Sequence, residues 1–430
     1  MFNKKTLHDY DIGGKKVLLR ADYNVPLKKN GEIESNYRIT ESLPTIRALQ
    51  EKGCKIVIAS HLGRPGGATD KKYSLKPVAK ELGKLLKQDI TFVGDSTGEA
   101  VKKATDDMDF GDIVMLENLR FNPGEKKNDE HFAREIIEST GAELLVQDGF
   151  GVVHRAHAST DAIARQIPAV AGLLLEKEIT AITSATSNPE RPLMTIIGGA
   201  KIQDKIDIIY RFLDISDVVV IGGAMANTFL MAQGVEVGDS LVDEGELDTA
   251  HDIIEKVMQV CADRRFIFYL PQDGVVATKV DKSAETRIVD WDAHVIASIE
   301  AYPKKPKAAT AKVKKNEKIL DIGPFSSAFI SGAMQLCKTV IWNGTMGVSE
   351  ISAVSDPVGP FAHGTEAIID SLVGKYGNKP FSLLGGGDTT AYVDRRNMND
   401  MFDHVSTGGG ASLELMAGKE LPGVAVLWDK

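Results

Sequence analysis

At 430 residues the chain is too long for one ordinary core, and about two domains are expected. With 43% hydrophobic and 26% charged residues it is neither disordered nor fibrous, and a net charge of −9 argues against a general nucleic-acid binder. Cys54, Cys261 and Cys337 are far apart and form no C-x-x-C pair, so they suggest neither a zinc site nor a disulfide framework, and their apolar surroundings suit buried reduced thiols; with no apolar leader and no run of bilayer length, a cytoplasmic protein is expected.

Along the chain a short apolar strand, a polar or glycine-rich loop and an amphipathic helix recur. The strand-like runs are Lys16–Arg20, Lys55–Ala59, Asp112–Leu116, Glu143–Val146, Leu193–Ile197, Asp217–Ile221, Arg265–Leu270, Thr339–Ile341 and Phe381–Leu384. Most are continuously apolar, as strands covered on both faces must be. Helical periodicity falls at Tyr37–Lys52, Leu75–Leu86, Glu130–Ser139 and Ala250–Ala262. The alternation predicts an α/β chain with mainly parallel sheets in two doubly wound, Rossmann-like domains. Pro168 and Asn188-Pro189 bracket a pattern over 169–187 that reads as one connecting helix. The expected organisation is therefore an N-terminal domain (1–168), the connecting helix (169–188), a second domain (189–403) and a returning segment (404–430). Residues 281–318, with Lys304, Lys305, Lys307, Lys314 and Lys315, read as a solvated surface insertion, and Leu421–Val424 as an extended tail.

In open α/β sheets, ligands bind outside the carboxyl ends of the strands. The first-half strands run into Arg20-Ala21-Asp22-Tyr23-Asn24, Ser60-His61-Leu62-Gly63-Arg64, Glu117-Asn118-Leu119-Arg120 and His154-Arg155-Ala156-His157. Guanidinium pairs with carboxylate and phosphate in a bidentate fork, so this rim suits a small polyanion. The second-half strands run instead into bare backbone at Gly198-Gly199-Ala200-Lys201, Gly222-Gly223, Asn343-Gly344-Thr345 and Gly385-Gly386-Gly387-Asp388-Thr389. Glycines at a helix N-terminus suit phosphates. Asp388 and the threonines are of the types that cap a helix, and Asp388 is also a candidate ligand for magnesium bridging to phosphates. Lys201 and Lys205, four apart, are expected on one face of the following helix. A polyanion rim and a polyphosphate rim together imply phosphoryl transfer, which needs positioning and charge neutralisation rather than a nucleophile. No G-x-G-x-x-G follows a strand, which speaks against a nicotinamide dehydrogenase. A non-catalytic nucleotide sensor would not need the cationic rim.

These blocks, together with Ser406-Thr407-Gly408-Gly409-Gly410-Ala411-Ser412, closely resemble the phosphoglycerate kinases over nearly the whole chain. The resemblance implies two Rossmann-like domains joined by a helix, in a monomer that closes about a hinge. It also implies reversible transfer of the acyl phosphate of 1,3-bisphosphoglycerate to Mg-ADP, giving 3-phosphoglycerate and ATP, directly and in line. Residue by residue, it places Asp22, Asn24, Arg38, His61, Arg64, Arg120 and Arg155 on the phosphoglycerate, with Arg38 and Lys201 nearest the transferring group. It places Lys201 and Lys205 towards the phosphates, Gly222 and Gly223 along the adenosine, and Asn343 beside the nucleotide. Gly386, Gly387 and Thr389 fall on the phosphates, Asp388 on magnesium and Glu350 on the ribose. The chain departs from the family pattern at Ser349, where phenylalanine is usual, and in longer stretches after Glu350 and between Asp273 and Asp321. These departures border the nucleotide pocket, so weak discrimination between ATP and GTP is expected.

Overall fold

A computed structural model describes residues 2–67, 70–291, 312–351 and 358–430. Mostly buried apolar runs make the strands of the first unit: β1 (Lys16–Arg20), β2 (Lys55–Ala59), β4 (Ile113–Met115), β5 (Leu144–Gln147) and β6 (Ala169–Ala171), with the short, partly exposed β3 (Thr91–Phe92) at the edge. They form one parallel sheet in the order β3-β4-β2-β1-β5-β6. Helices with local start and stop signals connect them. Helix Glu130–Thr140, for example, begins where Asp129 accepts the Phe132 N–H at 2.8 Å and ends at Gly141 in the left-handed region, φ 62°.

The second unit holds β7 (Leu193–Ile197), β8 (Val218–Ile221), β9 (Ile267–Tyr269), β10 (Asp273–Ala277), β11 (Arg287–Asp290), β12 (Lys318–Ile322), β13 (Thr339–Asn343), β14 (Phe381–Gly385) and β15 (His404–Val405). Six form a parallel sheet in the order β15-β14-β13-β7-β8-β9, and β11-β10-β12 form a small antiparallel one. The chain is thus α/β with mainly parallel sheets. The first unit comprises Met1–Ile182 and Thr407–Lys430, the second Thr183–Ser406. The first boundary falls inside the helix Leu173–Ser187. Among the described residues no helix is long and apolar enough to cross a membrane.

Several expectations need correction. Residues 169–171 are strand β6, so the connecting helix begins only at Leu173; Ala-Val-Ala is buried against β5 and suits either state. Part of the presumed surface insertion is ordered sheet, β11 and the first residue of β12, while Lys304, Lys305 and Lys307 lie outside the described residues. Residues 422–425 are a turn of helix opened by Pro422, not an extended tail. Cys54 and Cys337 are buried, but Cys261 is exposed near the end of helix Leu247–Asp263.

Candidate active site

In the first unit, the carboxyl ends of β1, β2 and β4 deliver Asp22, His61 and Arg120. Asp22 is the centre of this cluster. Arg38, in the first turn of helix Tyr37–Glu51, donates from Nη1 to Asp22 Oδ2 at 2.6 Å. Burial alone would raise the Asp22 carboxyl, but the Arg38 guanidinium first, then His61, Arg20 and the Asn24 N–H, together hold the carboxyl below its ordinary value. Asn24 is tied on both sides: its N–H donates to Asp22 Oδ1 at 3.2 Å, and its Oδ1 accepts the Gly63 N–H at 2.7 Å. The Gly63 carbonyl in turn accepts from Arg120 Nη1 at 2.8 Å.

His61 is buried. Burial, then the cations of Arg20, Arg120 and Arg38, push its imidazole well below its ordinary value, so it is neutral at neutral pH. Arg20 Nη2 lies 3.3 Å from His61 Nδ1. A guanidinium only donates, so Nδ1 accepts and the ring proton sits on Nε2. Arg20 itself is buried and engaged: it donates to Ser159 Oγ at 2.7 Å and to the Ala21 carbonyl. By contrast Arg64 and Arg155 are exposed and form no side-chain hydrogen bond to any described residue. The cluster therefore has a fixed interior and free cationic ends. Motif reading passed over what builds that interior. Glu117 accepts Leu75 N–H, Asn118 N–H and Ser74 Oγ, and Glu125 accepts Ser159 Oγ at 2.7 Å.

In the second unit the turns after β7, β8, β13 and β14 come together. Gly198 N–H donates to the Asn343 carbonyl at 2.9 Å, and Met225 N–H to the Gly199 carbonyl at 2.9 Å. Gly223, at φ 66°, sits so close to Gly199 that an added Cβ would lie 2.5 Å from its nitrogen, so only glycine fits. Gly386, at φ 86°, opens helix Gly387–Arg395, and no side chain caps that helix. Capping by Asp388 or the threonines is thus corrected: Thr389 Oγ1 instead accepts the Gly344 N–H at 2.6 Å. The N–H groups of the first turn stay free for a ligand. Asn343 Nδ2 is buried and without a partner among the described residues, and its side chain lies against Gly386, an arrangement that fits an anion at this turn.

Lys201 and Lys205 precede helix Ile206–Ile215 rather than sharing its face, because a short turn at Gln203–Lys205 intervenes. Lys201 is exposed, with no side-chain hydrogen bond to a described residue. Lys205 is a brace: its ammonium donates to Gly198 O (2.6 Å), Asn343 O (3.0 Å) and Asn343 Oδ1 (2.7 Å). An ammonium has three protons, so contact with a phosphate requires exchange of one of these partners. Burial pushes Lys205 down to about 8, against the pull of Asp388 and Asp204.

A cavity of about 590 Å³ opens beside these turns, lined by Gly199, Gly223, Thr345, Glu350 and Asp388 and by the antiparallel sheet. Gly222, Lys201, Lys205, Asn343, Gly386, Gly387 and Thr389 do not line it directly. Asp388 and Glu350 are exposed there, and Asp388 accepts no hydrogen bond from a described residue.

The family model described as phosphoglycerate kinase matches residues 7–419. The chain belongs to the phosphoglycerate kinase family. A curated relative, the phosphoglycerate kinase of Pelotomaculum thermopropionicum, is 42% identical over 427 residues, 99% of this chain and 100% of its own. Among solved structures, phosphoglycerate kinase from Coxiella burnetii is 34% identical with a TM-score of 0.78, covering 98% of each chain. That from Pyrococcus horikoshii is 28% identical with a TM-score of 0.80, covering 99% of this chain and 98% of its own. The protein is an enzyme, a kinase acting in phosphoryl transfer, and the free cations of one unit and the glycine turns of the other are the parts such chemistry requires.

Proposed function

We propose that the first-unit cluster holds 3-phosphoglycerate or 1,3-bisphosphoglycerate and the second-unit cavity holds ADP or ATP, with the acyl phosphate passing directly between them. One observation carries this reading. Arg64, Arg155 and Lys201 are exposed cations without side-chain partners among the described residues, while Asp22, Asn24, Arg120 and Lys205 are locked in place. Fixed groups set the geometry and free ones meet the ligand.

In this reading Arg64, Arg120, Arg155 and the His61 Nε2–H grip the carboxylate and phosphate of the glycerate. Arg38, whose Nη1 is held by Asp22, presents its remaining N–H groups to the phosphoryl group in flight, and Lys201 meets it from the nucleotide side. Gly386, Gly387 and the Asn343 amide take the nucleotide phosphates, Gly222 and Gly223 the adenosine, and Glu350 the ribose.

Among the described residues no three His, Cys, Asp or Glu side chains form a metal cluster. A single unpartnered carboxylate, Asp388, is what magnesium needs when phosphates and water supply its other ligands, and there the ion would neutralise phosphate charge. The protein acts as a cytoplasmic monomer, and its two units close about the helix Leu173–Ser187 and the segment 404–412.

A coupled assay with 3-phosphoglycerate and Mg-nucleotides tests the assignments. Arg64→Ala should raise KM for 3-phosphoglycerate and leave KM for the nucleotide unchanged. The reverse pattern, or no effect on either, would refute the placement.

A further inference from the structure

The wall of the nucleotide cavity contributed by the antiparallel sheet carries a residue that no strand-end motif points to. Trp291 directly follows β11 and is the single aromatic side chain among the described residues lining the cavity. Its ring is fixed from several sides. Nε1 donates to the Pro271 carbonyl at 3.0 Å and the backbone N–H to the Gln272 carbonyl at 3.2 Å. A Cβ added at Gly274 of β10 would lie 2.8 Å from Trp291 Cη2, so the ring lies tight against that strand. It also packs on the small apolar cluster of Val276, Val289 and Val313. Half-buried and held in this way, the indole keeps part of its surface towards the cavity, and little side-chain freedom is left to lose when a ligand binds.

The polar side chains sharing that wall are already engaged. Lys318 pairs with Asp239, and Asn227 donates to the Leu241 carbonyl at 3.2 Å. Ser240 donates to the Val237 carbonyl and accepts the Ile319 N–H at 2.8 Å. Asp273 accepts from Phe325 N–H, Ser326 N–H and Ser326 Oγ. Asp321 accepts the Ile322 and Gly364 N–H groups, so among the described residues of that wall few side-chain donors or acceptors remain to tell one purine edge from another.

From this we propose that Trp291 is the stacking surface for the nucleobase, and that the base is recognised by its π-face rather than by its hydrogen-bonding edge. The enzyme would then use ATP and GTP alike and the smaller pyrimidine nucleotides less well. This inference rests on the nucleotide occupying the cavity, as proposed above.

Tryptophan fluorescence gives a readout independent of turnover when recorded in a Trp342→Phe background, because Trp342 Nε1 donates to the Gly344 carbonyl of the phosphate turn at 2.8 Å, whereas Trp428 lies in the first unit. In that background, titration with Mg-ADP or Mg-GDP should change the emission, and adding Trp291→Phe should abolish the change. In steady state Trp291→Leu should raise KM for ATP and GTP together, by roughly 5- to 150-fold for loss of one base–aromatic stack, with the loss in KM rather than kcat. Trp291→Phe, still aromatic, should raise it less. Ala224→Leu, on a different wall, reports whether the cavity holds the nucleotide at all. If Ala224→Leu raises the nucleotide KM and Trp291→Leu does not, the base lies in the cavity but not on Trp291, and the proposal is overturned. If neither variant moves KM, the nucleotide lies elsewhere and the underlying assignment falls with it. Should Trp291→Leu fail to fold, persistence of the ligand-dependent emission after Trp291→Phe in the Trp342→Phe background by itself overturns the proposal.

Discussion

Arg38 separates a catalytic role from a binding one, and the geometry fixes what each substitution should do. Its Nη1 is held by Asp22 at 2.6 Å, with the arginine side chain 26% exposed and the aspartate 6%. A charge-assisted bond of this kind contributes on the order of 1.5–3 kcal/mol, so Arg38→Ala should lower stability by that amount and still fold, since Arg20 continues to face Asp22. In the first unit this corresponds to a fall in Tm of roughly 3–12 °C. Turnover should fall much further, by about 100- to 1,000-fold, as expected on removing one preorganised donor that acts at the transition state. Arg38→Lys distinguishes the two effects. An ammonium reaching Asp22 restores the ion pair, but it lacks the second arm of the fork proposed to meet the phosphoryl group. It should recover most of the stability and little of the turnover. The measurements are thermal denaturation and steady-state kinetics on both variants beside Arg120→Ala, whose loss should appear mainly in KM for 3-phosphoglycerate. Should Arg38→Ala raise only that KM, or should lysine restore turnover as fully as stability, Arg38 is a structural or binding residue and the reasoning is wrong.

Asp388→Ala should lower turnover on the order of 100-fold at saturating magnesium, and near-normal kinetics there would refute its metal role. Burial raises the Asp148 carboxyl from 3.8 to about 7 while its Oδ1 accepts the Leu174 and Leu175 N–H groups and its Oδ2 has no partner. A folded-state value raised in this way contributes stability that is full below about 3.8 and is lost as pH rises through about 7. Asp148→Asn should remove that slope between about pH 4 and 7 in chemical denaturation, and equal slopes in both proteins would contradict the assignment. Small-angle scattering should show compaction with 3-phosphoglycerate and Mg-nucleotide together and less with either alone; dimensions unchanged in the ternary complex would exclude ligand-driven closure.

The parallel strands were legible because they are covered on both faces. β1, β2 and β7 match their apolar runs residue for residue, each being a continuous stretch that no helix period explains. The antiparallel sheet was not. β11 alternates charged, exposed and buried residues over only four positions, with Ile288 outward and Val289 inward, and it pairs at the sheet edge with β10 alone. β3 and β15, at two residues each, are too short for any periodicity to register. The phosphate turns could be read from their glycines. The cavity wall built by Trp291, Ile319 and Leu320 could not, because it exists only once β10 has paired on both sides. For the same reason Asp148 was anonymous in the sequence: its capping of a helix 25 residues further on is a tertiary contact.

Four arginines at successive strand ends suggested one cationic rim, and their side chains divide into distinct roles. Arg20 is buried, with its donors directed to Ser159, Ala21 and His61, and it serves to orient the imidazole and lower the Asp22 carboxyl. Arg120 uses one nitrogen on the Gly63 carbonyl and keeps the others, so it is part of the frame and has N–H groups to spare for the proposed ligand. Arg64 and Arg155 are exposed with no hydrogen bond to a described side chain or carbonyl. A charge that is already satisfied and desolvated has little further attraction to offer a substrate, whereas a solvated one exchanges water for phosphate oxygens at small cost. Affinity for the glycerate should therefore reside in Arg64, Arg155 and the free half of Arg120. Arg20, the most buried of the four, is expected to act on the substrate indirectly, through His61 and Asp22, rather than by contact.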